Sequence, residues 1–221
     1  MSGDTASPYR EFKEEILAFA QGRRGIRNPV VVAAVEPAVE HRAGGRLASW
    51  ASDGSGADGT SAETEEPPSI PDEVTVQPIW LDELLARTDV YNLLVDLGEP
   101  LAELEAEDGV SVGQRVERTM QDRLAEELVW EIVTAEVEEA ELNEQSHVLL
   151  LLDLGSLSPY TRASELLDEL DRRSVESTVA ALVPVPGDAV GGKGRFFGGD
   201  SRHCYPAHQI DGPIRGEHLR R

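Results

Sequence analysis

The residues with the clearest capacity for chemistry stand at the end of an apolar run. Residues 147–173 read HVLLLLDLGSLSPYTRASELLDELDRR, so five apolar residues run straight into Asp153. A buried strand ending in Asp is where phosphate-handling enzymes hold magnesium. A partner exists on paper in Gly187, Gly192 and Lys193, which satisfy G-x-x-x-x-G-K. Gly194 stands where the metal-binding hydroxyl belongs, and Asp188 would repel phosphate. The segment after Lys193, GRFFGGDSRHCYP, cannot supply the helix whose free N–H groups bind the anion. The order is also reversed, because the phosphate loop of such folds precedes the acidic strand. After the first strand candidate the chain has EPAVEHRAGG instead.

Other constellations are weaker. His203, Cys204 and His208, with Asp200 nearby, lack the paired four-ligand spacing of a zinc site, and the remaining histidines are scattered. Asp153-Leu-Gly-Ser156 is no nucleophile elbow. With 42 acidic residues in 221, paired carboxylates carry no information. The residues therefore point to no catalytic centre, no metal and no cofactor.

The elements that must position these residues follow from pattern. Residues 9–20 carry a helical stripe ended by Gly22, Gly25 and Pro29. Residues 29–35, PVVVAAV, read as a buried strand, and Pro37 opens a helix weakened by Gly44 and Gly45. Residues 51–72 hold six acids, no base and many Gly, Ser and Pro, an acidic disordered insertion. Residues 74–81 form a second strand, with Pro78 favouring an edge or an early end. One helix is expected over 82–97 and a longer one over 114–144, where Met120, Leu124, Leu128 and Ile132 recur every fourth residue. Residues 147–152 form a strand buried on both faces. Ser158 and Pro159 then read as N-cap and first helical residue, and residues 177–185 as the last strand.

The expected fold class is therefore α/β: a small, mainly parallel sheet flanked by helices. It ends in a C-terminal right-handed βαβ unit followed by a Gly-rich loop or hairpin. Residues 1–221 are expected to form one domain.

The net charge is -22, and Lys13 and Lys193 are the only lysines. That balance disfavours direct binding to a nucleic-acid backbone. It fits a high-salt cytosol where self-repulsion is screened, hence a halophilic archaeal source. One cysteine excludes an internal disulfide, and the first residues lack a signal-peptide pattern. A cytoplasmic location without membrane insertion is the expectation.

One resemblance sharpens this. The C-terminal third carries Pro159-Tyr160-x-Arg162-Ala163, Leu166-Leu167, Pro186-Gly187, Phe197-Gly198 and a closing Tyr205 followed by Ala207. Over residues 147–210 this pattern resembles BrxB, a small component of the BREX bacteriophage-exclusion systems. It departs from that family at Cys204-Tyr205-Pro206-Ala207-His208, where a basic residue is missing. The resemblance implies a non-catalytic adaptor in antiphage defence, binding the phosphatase-like PglZ protein and other BREX components. Arg162, Arg195, Phe196 and Phe197 are the expected partner surface, because adjacent Phe residues are unusual in a chain with 5% aromatics. Two alternatives stay open. One is a degenerate phosphate-loop domain binding nucleotide through Lys193 and Asp153. The other is a nucleic-acid accessory module using the Arg-rich tail from Arg215 to Arg221.

Overall fold

A computed structural model of the protein describes residues 7–24, 29–53, 68–96, 112–137, 141–158, 160–185 and 207–219; side chains at 112–118 and 135 are outside that description. Five strands, β1 (Val30–Val35), β2 (Thr75–Trp80), β3 (His147–Leu152), β4 (Thr178–Pro184) and β5 (His208–Gln209), form one all-parallel sheet in the order β2-β3-β4-β1-β5. The protein is an α/β fold.

The middle of the sheet is apolar on both sides, as parallel sheets require when helices cover both faces. Along β3, Val148, Leu150 and Leu152 join one core with α1 (Pro8–Ala20) and α2 (Glu40–Asp53). Leu149 and Leu151 join the other, with α3 (Leu81–Leu85), residues 89–96 (α4), α5 (Val112–Glu131) and α6 (Ala163–Arg172). The two-residue period of the strand thus divides one run between two layers. Pro78 lies on β2, an edge strand, where its missing N–H breaks no ladder bond on the outer side.

Ser7 caps α1, accepting from the Arg10 N–H at 3.3 Å, with Pro8 in the first turn. Gly44 and Gly45 lie inside α2 without breaking it. The reason at Gly44 is close approach: a Cβ there would meet the Trp80 ring at 3.3 Å.

Four expectations are corrected. The single helix over 82–97 is two, because the chain turns at residues 86–88. There the Thr88 hydroxyl donates to the Leu85 carbonyl at 2.8 Å, and the Val90 N–H donates to the Glu127 carboxylate at 2.9 Å. The helix over 114–144 stops at 136, where residues Ile132–Glu136 widen into a π turn and Val137 becomes extended. Gln77 donates to the Glu136 carbonyl and holds that end against β2. The helix expected from Ser158 begins at Ala163. Finally, His208-Gln209, at the end of the stretch expected to be only a loop or hairpin, forms a short strand parallel to β1. Most of the acidic insertion, and the Gly-rich stretch from Pro186 to Pro206, lie outside the described residues.

Candidate functional site

The segment that carries the family resemblance leaves β3 through a left-handed residue. Asp153 has φ 58° and ψ 44°. Its side chain makes no cap; its backbone carbonyl accepts from the Ser156 N–H at 3.1 Å and from the Ser156 hydroxyl at 2.7 Å. A 3₁₀ turn, Leu154–Leu157, buries Leu154 and Leu157 beneath it. The turn after Asp153 is therefore closed through its backbone carbonyl.

Ser158 closes that turn instead of opening a helix. The chain then runs across α5. The Thr161 hydroxyl lies 3.1 Å from both the Gln121 carbonyl and the Glu165 carboxylate, and the Thr161 N–H donates to the Leu157 carbonyl at 2.9 Å. These bonds hold residues 160–162 off helical geometry, and Arg162, with φ -112° and ψ 146°, becomes the N-cap residue of α6. Tyr160 meets Tyr91 edge to face at 5.0 Å. Ala163 packs on the core. Arg162 is exposed, and its side chain has no hydrogen-bond or ion-pair partner among the described residues.

At the far end of α6 lies a feature the sequence pattern did not single out. Trp130, on α5, is 54% exposed, the guanidinium of Arg173 sits 5.6 Å from its ring centroid, and Arg172 lies next to it in the chain. Both arginines reach buried Glu169, at 2.8 and 3.1 Å. Thr161 meets Gln121 at one end and Arg173 meets Trp130 at the other, so α5 and α6 run side by side in the same direction. Arg162 and the Trp130–Arg173 pair mark the two ends of this helix-pair face. Helical geometry held the clue: Trp130 is two residues from both Leu128 and Ile132, about 200° around the wheel from the buried stripe.

A second cluster lies at the carboxyl ends of the strands, where open parallel sheets bind ligands. Glu40, at the start of α2, is 7% exposed and accepts from the Gly155 N–H at 2.8 Å. A Cβ at Gly155 would collide with that carboxylate. Burial pushes the Glu40 carboxyl up to about 7, with Asp153 adding to the rise against the Gly155 hydrogen bond and His41. Burial, then Asp82, also raises Asp153, opposed by His41. The ring of His41 tilts against Trp80 at 5.4 Å.

This geometry bears on the nucleotide alternative. The N-terminus of the helix after β1 is the natural anion site of such a fold. Here Glu40 places the protein's own carboxyl there, and Asp153 faces other acids rather than a cradle of N–H donors. Among the described residues no group of three or more His, Cys, Asp or Glu side chains is arranged to hold a metal ion. No described helix is long and apolar enough to cross a membrane.

Of the tail from Arg215 to Arg221, the described part is docked. Leu219 is buried and its carbonyl accepts from Arg42 at 3.1 Å, while Ile214 bridges to Val35. Tyr160, Arg162 and Ala163 are the site residues the structure describes. Pro159, Pro186, Gly187, Arg195, Phe196, Phe197, Gly198 and Tyr205 lie outside the described residues, as do Lys193, Asp200, His203 and Cys204. No family model, no curated protein and no solved structure matches the chain.

Proposed function

We propose that this chain is a non-catalytic adaptor of a BREX-type antiphage system, binding a PglZ-like phosphatase-superfamily protein through the outer face of α5 and α6. The exposed Trp130 with Arg173 over its ring carries this reading. Trp and Arg are the residues that most often dominate protein interfaces, and a half-exposed Trp is costly to leave in water. Arg162, unpaired among the described residues, extends the same face to the segment that resembles BrxB. An arginine anchor suits an acidic patch on the partner.

The test is titration calorimetry of the purified chain against the PglZ-like protein encoded in the same genome, at the salt of the native cytosol. Trp130→Ala should weaken binding by about thirtyfold, the effect of a 2 kcal/mol anchor. Arg162→Glu should weaken it by about tenfold, with the fold unchanged by circular dichroism. Binding that is undetectable for the parent chain, or equal in both variants, would sink the reading.

A further inference from the structure

The last turn of α6 gathers two cations and an aromatic ring around one buried carboxylate. Glu169 is 4% exposed. Its Oε1 accepts from the Arg173 Nε–H at 3.1 Å, and its Oε2 lies 2.8 Å from Arg172 Nη1. The second contact lacks hydrogen-bond alignment, so Oε2 is buried without a donor among the described residues. Arg173 is therefore fixed at its Nε, with its guanidinium 5.6 Å from the Trp130 ring centroid. Arg172, with a side chain 68% exposed, is held by charge alone and can turn outward. Trp130 reaches this point from α5 and is half-exposed.

A guanidinium presents its N–H donors in a rigid fork. One edge of each arginine meets Glu169, which leaves the other donors of both groups facing away from it. The buried carboxylate sets the direction of the Arg173 fork before any partner arrives, and that lowers the ordering cost of binding. The Trp130 ring beside the fork offers a flat apolar surface. Together they suit a planar oxyanion with an apolar neighbour. The surroundings limit its size. Asp168 and Asp171 are exposed on the same helix, so the positive region is confined to the last turn. A row of phosphates would run from the arginines onto those acids, whereas a single carboxylate would not.

We infer that Arg172 and Arg173, aligned by Glu169, receive an Asp or Glu side chain from a short acidic segment of a protein partner, whose apolar neighbour covers Trp130. The inference rests on the adaptor reading for the existence of that partner and adds the chemistry of its docking segment. Glu169 is a positioning residue: it touches no ligand and acts through Arg173.

The test pans a random peptide library displayed on phage against the purified full chain, at the salt of the native cytosol. Retained peptides should be enriched in Asp or Glu next to an apolar residue. Resynthesised free, they should bind about tenfold more weakly to Arg173→Lys, which keeps the charge but loses a charge-assisted hydrogen bond of the fork. Glu169→Gln should weaken them to a similar extent with circular dichroism unchanged, whereas a purely structural Glu169 would shift unfolding and leave affinity alone. A retained set without acidic enrichment overturns the inference, as do acidic peptides that bind both variants as tightly as the parent. Single-stranded DNA that binds more tightly than the peptides, through Arg173, overturns it too. The PglZ-like protein takes no part in this experiment, so a negative result leaves the adaptor reading standing, and a failed titration against that protein leaves the acidic clamp standing.

Discussion

The two ends of β3 hold ionisable side chains in opposite circumstances. His147, at the amino end, is buried within a hydrogen-bonded network. Its Nε2 lies 3.1 Å from the Gln77 side-chain oxygen. Gln77 uses its own N–H to reach the Glu136 carbonyl, so the His147 Nε2 must carry the proton. Its Nδ1 is left bare and buried without a partner. Burial lowers the His147 pKa, although Glu141 and Glu144 oppose that effect. At the carboxyl end, Asp153 and Glu40 are raised by burial and by other acids. One end excludes a positive charge and the other resists negative charge. The same five apolar residues separate them, so a buried strand can end in two proton-linked locks of opposite sign.

The comparison can be broken most severely at its middle. Leu150 is fully buried between the ends. Leu150→Ala should cost about 3 kcal/mol by leaving a cavity, equally at all pH values, as measured by urea unfolding. A cost that changes with pH would show that the two ends are coupled through the strand.

Next comes Gly155→Ala, which pushes a methyl group into the Glu40 carboxylate. A loss of about 2 kcal/mol is expected. Pairing it with Glu40→Ala should abolish most of that loss, because the colliding group is gone.

Glu40→Gln isolates the charge. Glu40 titrates near 7 when folded and near 4.5 unfolded, so between those values the folded state holds more protons. Stability from this group is full below pH 4.5 and falls as pH rises towards 7. The Gln variant should therefore gain on the parent across that window, reaching about 3 kcal/mol at pH 8. Equal stabilities at pH 4 and pH 8 would refute the buried carboxyl. At the other end the sign reverses. His147 is lowered, so the unfolded chain binds more protons and stability falls as pH drops below 6.5. Gln77→Ala should cost about 1 kcal/mol and move acid unfolding to higher pH, followed by circular dichroism.

Much of the fold was legible because it depends on local pattern. The runs at residues 30–35 and 147–152 could only be strands buried on two sides, and Pro78 pointed to the edge that β2 occupies. Helix boundaries were less legible. The breaks at 86–88, at 136 and before Ala163 are set by Glu127, Gln77 and Gln121, each distant in sequence from the segment it fixes. Ser158-Pro159 has the composition of a helix start, but the bond from Thr161 to α5 competes with it and prevails.

The candidate sites divide in the same way. Arg162 was legible as a member of the motif and an expected partner residue, and Trp130 was within reach of helical arithmetic. Glu40 and Glu169 were not, because acids on amphipathic helices look like ordinary solvated charges. Their settings depend on Gly155 in one case and on Trp130 beside Arg173 in the other.

By itself the sequence determined an α/β protein with a twice-buried parallel sheet and an acidic exterior, since periodicity and composition act over a few residues. Tertiary structure alone decided that β1 lies between β4 and β5, and that Glu40 closes on Gly155. It also decided that Arg173 lies over Trp130. Those outcomes depend on which distant segments share a surface, and on the low polarity that sharing creates around a charge.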